Sequence, residues 1–230
     1  MGEAEQVDRR GTSPRAVRAR EAWQGERLRS TRSRLRAHGL ELIAERGYDG
    51  TTAQDIARAA GVSTMTFFRH FPSKEDVVLG MPPDSAGIVA AERALGGAGE
   101  GSRPIGAARA VLGAVAEELG EEGLADIALR LAIVHDNPPL LRALYARVPR
   151  WTRIVGVLLP DSLRTADDDD FSARIKASAM VLYWVETMCE WSRRGGAGAG
   201  GALLREVADE AAAALGESVD YRSRSVAEER

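Results

Sequence analysis

Cysteine, histidine and aromatic residues are all scarce in this chain, and each shortage removes a class of chemistry. One cysteine, Cys189, in 230 residues leaves no partner for an intramolecular disulfide and suits a reducing compartment. The three histidines, His38, His70 and His135, lie in separate segments, and none stands at a zinc-ligand spacing. Gly-x-Ser-x-Gly, His-Glu-x-x-His and Cys-x-x-Cys are absent, so the sequence offers no catalytic constellation, no metal site and no cofactor motif. The glycine-rich stretches Gly96–Gly101 and Gly195–Gly201 follow no strand and lead to no Gly-Lys-Ser/Thr; they read as linkers, not phosphate cradles. The acidic run Asp167–Asp170 lacks the ligand spacing of a calcium loop and reads as solvated, with Asp170 capping a helix from Phe171. No apolar run reaches the roughly 18 residues that span a bilayer, and the Arg-rich N-terminus has no signal-peptide core. The expected location is cytoplasmic, with no membrane partner. No stretch alternates β-branched and polar residues, which points to an all-α fold.

What is present is an amphipathic, unevenly charged chain. It is 44% hydrophobic and 28% charged, enough for a sizeable core in one or two domains. The net charge of −3 hides an asymmetry: residues 1–80 hold 14 Lys/Arg against 11 Asp/Glu, residues 81–230 hold 17 against 23. A basic front and an acidic back fit a DNA-binding head on a body that does not touch DNA.

The head is organised around Thr51–Asp76. Thr52 with Asp55 three residues on is close to a capping box, and Ile56, Ala57 and Ala60 give a narrow apolar stripe. Gly61 breaks the helix where the turn needs positive φ, Val62 plugs the corner, and Ser63 caps a second helix to about His70. Two short helices joined by a Gly turn describe a helix-turn-helix, with Phe67 buried at their crossing. Thr64, Met65, Thr66, Phe68, Arg69 and His70 then point outward, a face that can enter a major groove. A supporting helix runs from about Arg27 to Glu45, with Leu35, Gly39, Leu42 and Ile43 on one face. Ser73 caps a fourth helix.

Leu42-Ile43, Gly47-Tyr48, Thr51-Thr52, Ile56-Ala57, Ala60-Gly61-Val62-Ser63, Phe68, Phe71 and Ser73-Lys74-Glu75 stand in an order and spacing that resemble the signature of the tetracycline-repressor (TetR) family of transcription regulators. The resemblance implies a double-stranded DNA operator as partner. It places Thr51, Thr52, Thr66, His70 and Lys74 on phosphates and Thr64, Met65 and Arg69 at base edges; Phe68, where the family often has Tyr, keeps packing but loses a hydroxyl. It also implies a C-terminal helical ligand-binding and dimerisation domain whose last two long helices form a four-helix bundle in a homodimer, and a small-molecule effector. Repression is the family's commoner mode. The break at Pro82-Pro83 departs from the family's longer connecting helix.

The expected layout is a flexible basic arm over 1–25, the helix-turn-helix domain over 26–80, the helical ligand-binding and dimerisation domain over 84–218, and a tail over 219–230. Within the body, helices are expected near 84–95, 104–119, 121–136, 138–158 with a kink at Pro149, 171–194 and 201–216. The helix from Phe171 is apolar on two faces, consistent with burial on both sides. His135, Tyr145, Trp151, Met180, Tyr183, Trp184 and Met188 are candidates to line an effector cavity, though aromatic and Met residues at helical spacing also suit plain core. Part of the body, from Ala128 to Asn137 and again around Arg147–Trp151, is similar to a subgroup with acyl-CoA-like ligands, for which Arg130, Arg150 or Arg153 would meet an anionic head. Two rivals stay open: a helical-bundle enzyme or carrier with a vestigial helix-turn-helix, and a constitutive DNA-binding protein with a filled core.

Overall fold

The computed structural model describes residues 14–80, 86–98, 103–159, 163 and 170–216, which form ten helices and no strand. The expectations for residues 1–13, for Pro82-Pro83, for Asp167 to Asp169 and for the 219–230 tail lie outside the described residues. Two compact units divide the chain, Met1–Gly80 and Met81–Arg230.

The first unit holds α1 (Pro14–Arg46), α2 (Ala53–Ala59), α3 (Thr64–His70) and α4 (Glu75–Leu79). α1 starts well before the expected Arg27, so residues 14–25 are helical and not a loose arm. The reason is local: Pro14 suits a first helical turn, and the Ala, Arg, Glu and Gln that follow are strong helix formers. Leu35, Ile56, Ala57, Ala60, Phe67, Phe71 and Val77 make one buried cluster, with Leu42, Ala53 and Val62 packed on it. Gly39 lets α1 approach α4, since a Cβ there would lie 2.7 Å from Val77 Cγ1. α4 begins one residue later than expected: Ser73 does not cap it, and its amide and hydroxyl instead donate to Asp76 at 3.1 and 2.8 Å.

The second unit holds α5 (Ala86–Gly96), α6 (Pro104–His135), α7 (Pro138–Tyr145), α8 (Val148–Leu158), α9 (Asp170–Arg193) and α10 (Gly196–Ala214). α6 is its centre, with α5, α7, α9 and α10 packed on it and α8 on α9. Gly120, at φ 60° and ψ −173°, kinks α6 where two helices were expected. The break expected at Pro149 falls earlier, at Ala146–Arg147, because proline fits the first turn of α8. Asp170 is the first residue of α9 and not its cap. The two-sided burial expected for this helix is incomplete: on α9 Ile175 and Leu182 are exposed, at 52% and 42%, while Val185 and Cys189 are buried. Burial pushes the Cys189 thiol up to about 11, so it stays protonated at neutral pH.

The second glycine-rich stretch is not a linker. It forms one turn over 196–199 and a kink at Gly200, at φ 55° and ψ −148°, from which the helix expected from 201 continues; Gly196, Gly200 and Gly201 are buried. Gly196 lies flat on Trp191, whose indole nitrogen donates to Gly200 O at 3.0 Å; a Cβ on Gly196 would meet the ring at 2.5 Å. Trp191 is fully buried and has no room to yield. Gly198 faces open space. Gly196→Ala should therefore destabilise the protein by about 1–3 kcal/mol through overpacking, whereas Gly198→Ala should gain about 0.5–1 kcal/mol of helix propensity. Urea midpoints of the two variants check this; equal and negligible effects would restore the linker.

Candidate nucleic-acid interface

The interface is built by two seven-residue helices with well-made starts. Thr52 is extended, at φ −108° and ψ 159°; its hydroxyl accepts from Asp55 N at 3.1 Å while the Asp55 carboxylate accepts from Thr52 N at 3.2 Å. The Thr52 side chain and then its backbone amide hold the Asp55 carboxyl below the usual carboxylate range. Gly61 makes the turn at φ +67°. Ser63 Oγ accepts from Thr66 N at 3.1 Å and opens α3. Phe67 is fully buried and meets Phe68 edge to face at 5.3 Å.

This packing sorts the expected contact residues. Met65 is 84% exposed and Phe68 51%, both beside the exposed Arg69. Thr64 and Thr66 are half-buried on the same helix, and Thr52 is exposed at the start of α2. Lys74 is half-buried: its ammonium donates to Tyr48 O at 2.7 Å and sits 3.8 Å from the centre of the Tyr48 ring. Two residues face inward, contrary to the reading from sequence. Thr51 is 1% exposed and its hydroxyl is engaged with Leu42 O and Gly47 O, at 3.2 and 3.0 Å, so it fastens the α1–α2 loop. His70 is 8% exposed because the last turn of α3 faces α1, and its carbonyl accepts from Arg32.

Residues that the sequence reading left out of the site lie beside it. Arg27, Ser30, Thr31 and Arg34 of α1 line a cleft of about 500 Å³ with Gly61, Val62, Thr66 and Arg69. The signal was available: these four α1 residues recur at i, i+3, i+4 and i+7 and are all polar.

The chain matches the family model described as bacterial regulatory proteins, tetR family, over residues 35–81, which span this helix-turn-helix. It is 40% identical over 179 residues to the HTH-type transcriptional regulator TcmR of Streptomyces glaucescens, covering 73% of this chain and 76% of TcmR. The chain belongs to the TetR family of bacterial regulatory proteins. It is a DNA-binding transcriptional regulator, as the sequence motif implied, with the all-helical, two-part architecture expected from it. Over a shorter stretch, 41 residues and 18% of each chain, it is 46% identical to the uncharacterized HTH-type transcriptional regulator YwcC of Bacillus subtilis. Among solved structures it is similar to Thermus thermophilus FadR in complex with lauroyl-CoA, at 25% identity, 80% coverage of this chain, 92% of that chain and a TM-score of 0.46.

The seven effector candidates lie in the second unit, mostly on α9, and four of them make hydrogen bonds to other helices or loops of the protein. Tyr183 Oη donates to Ala208 O at 2.7 Å, and burial pushes its phenol up to about 12. Trp184 Nε1 donates to Ala108 O at 2.8 Å, and Tyr145 Oη to Glu186 at 2.7 Å. His135 Nε2 is 3.1 Å from Cys189 O. Met180 is fully buried, Trp151 half-buried, and Met188 packs on the cluster around Trp191 and Leu204. None of the seven lines the cleft of about 170 Å³ between α6 and α10, which Arg109, Leu112, Ala116, Leu204 and Asp209 border. Arg130 is buried and paired with Asp126 at 2.9 Å. No helix among the described residues is long and apolar enough to cross a membrane.

The inward His70 makes the head sensitive to pH. Burial first, then the Arg69 and Arg32 guanidiniums, hold its imidazole below the usual 6.5, and Nε2 is buried without a hydrogen-bond partner. Below 6.5 the unfolded state binds the proton more readily than the folded state, so the stability of the neutral form is complete above that pH and declines beneath it. The stability advantage of wild type over His70→Gln should shrink as pH falls from about 7.5 to about 5.5. Amide exchange of α3 at a series of pH values reads it; an advantage independent of pH would mean that His70 titrates normally.

Proposed function

We propose that this regulator is a cytoplasmic repressor that binds a near-palindromic operator as a homodimer and is released by a small apolar or acyl-type effector. The observation that carries the reading is the exposed face of α3, where Met65, Phe68 and Arg69 stand free on a helix whose opposite side is locked by Phe67. Arg69 suits guanine O6 and N7, Met65 and Phe68 suit thymine methyls, and Thr64 suits either kind of edge. Thr52, Thr66 and Lys74 would hold phosphates, with Lys74 turned from its Tyr48 partner. Thr51 and His70 would support the fold from inside. Two copies would place α3 in successive major grooves about 34–36 Å apart.

Support for self-association comes from α9, where Ile175, Ala179 and Leu182 leave an exposed apolar strip that a twofold partner would cover. The largely apolar stretch of α9 around Met180, Tyr183, Trp184 and Met188, with His135 and Tyr145 bonded to Cys189 O and Glu186 of the same helix and Trp151 on α8, would be where an effector acts. An effector preferring one arrangement of the body would shift the population of DNA-competent dimers. One observation favours a second reading, a constitutive regulator without effector: four of the seven candidates, His135, Tyr145, Tyr183 and Trp184, already have protein hydrogen-bond partners.

A selection from random DNA tests the first step. It should enrich a palindrome with half-sites one helical turn apart, and Arg69→Ala should weaken binding to it by about 1–3 kcal/mol while relaxing preference at one base pair of each half-site. Purified wild type that enriches no sequence would defeat the proposal. A ligand screen on the selected DNA then separates the inducible from the constitutive regulator.

A further inference from the structure

Apart from Arg46, whose charge acts on Asp55, the arginines of the first unit whose side chains are described divide into two sets. In one set the guanidinium is already engaged. Arg32 lies over the Phe71 ring at 4.1 Å and donates to His70 O; Arg36 donates to Val77 O at 3.1 Å and to Gly80 O. Arg29 pairs with Glu26 at 3.2 Å, and Arg58 with Asp55 at 3.2 Å. The other set is Arg27, Arg34 and Arg69. Among the described residues none of these three has an ion pair; the Arg27 guanidinium lies 5.5 Å from the centre of the Trp23 ring. All three border the same cleft, with Ser30, Thr31 and Thr66, and no carboxylate lines it.

Three cations around one cleft repel each other, and an anion placed among them removes that repulsion. Guanidinium forks favour an anion with several oxygens, and neighbouring hydroxyls add donors to the same group. Thr31 spends its proton on Arg27 O at 2.9 Å, which leaves the Ser30 hydroxyl and that of Thr66, which shares a hydrogen bond with Ser63 Oγ at 3.0 Å in which either oxygen can donate. The cleft also adjoins the helix offered to bases, since Thr66 and Arg69 belong to both.

We propose that this cleft seats a backbone phosphate of DNA, gripped by Arg27 and Arg34 of α1 together with Thr66 of α3. α1 is then part of the DNA-binding surface and not only the wall behind it. This rests on α3 entering the major groove. A phosphate flanking that groove would be held from two helices at once, which fixes the angle at which α3 meets the base edges.

The test uses the full chain and the DNA enriched by wild type. Affinities are measured over a range of salt for wild type, Arg27→Ala, Arg34→Ala and, as a control, Arg46→Ala, which removes the same charge from α1 outside the cleft. Arg27→Ala and Arg34→Ala should each weaken binding roughly three- to tenfold on every sequence and flatten the plot of log affinity against log salt by about 1. The enriched sequence should not change. Slopes equal to that of Arg46→Ala, or an altered base preference in place of uniform weakening, would overturn the clamp while leaving the α3 reading intact. A wild type that prefers no sequence would remove both.

Discussion

The helix-turn-helix exists because α1 gives it an apolar wall. α2 and α3 have seven residues each, far below the roughly 12–15 at which an isolated helix becomes even marginal in water. Their caps contribute about 1 kcal/mol each, which cannot offset the ordering of 14 residues. Burial of Leu35, Ile56, Phe67, Phe71 and Val77, at about 1.5–3 kcal/mol per side chain, is the larger effect. The caps set where each helix begins, and the core sets whether it forms. α1 also closes the far ends: the C-terminal carbonyls of α3 and α4, orphaned by helix geometry, accept from Arg32 and Arg36. Those arginines lie over Phe71 as well, so each one covers apolar surface and caps a helix end.

That double use separates charge content from charge availability. Counted along the sequence, every arginine of α1 looks like a candidate phosphate contact. Arg32 and Arg36 are spent inside the head, so removing either would disturb folding before it disturbed binding. Only the i, i+4, i+7 face carrying Arg27, Thr31 and Arg34 turns towards the cleft beside α3. The second unit uses its polar groups similarly: Tyr183, Trp184, Trp191 and Ser192 of α9 all donate to backbone carbonyls of α6 or α10. Each such bond is worth about 1 kcal/mol net, yet an orphaned indole or phenol would cost more, so these contacts fix the register of the helices.

The features legible in the sequence were those set by neighbours along the chain. The Thr52–Asp55 box, the Gly61 turn and the Ser63 cap are local chemistry, and each stands where it was read. Helix spacing likewise gave Ile56, Ala57, Ala60 and Phe67 as core. Thr51 and His70 were misread because their burial depends on α1 crossing over them, a contact between residues about 10 and 40 positions apart. The Gly195–Gly201 stretch was misread for another reason. Composition does not distinguish a glycine that loosens the backbone from one that admits a tryptophan ring, and Gly196 does the second. The start of α1 was missed because the basic stretch before Arg27 was read as an arm, although Pro14 is well placed to open a helix.

The exposed side chains of the head bring these strands together. Met65 and Phe68 stand in water on a helix with a complete core behind it, and an isolated domain gains nothing from that exposure. Beside them Arg27, Arg34 and Arg69 crowd a cleft without a counter-charge. The two unsatisfied features differ in kind, one apolar and one cationic, and they share α3 as a border. Duplex DNA offers the matching pair at close range: thymine methyls on the groove floor and phosphates along its edge. A protein partner could match the apolar tip, and a free anion the cleft, but each would leave the other feature unmet. The geometry of the head is therefore best explained by a single polyanionic ligand that fills both at once, and by α1 as the element that sets their separation.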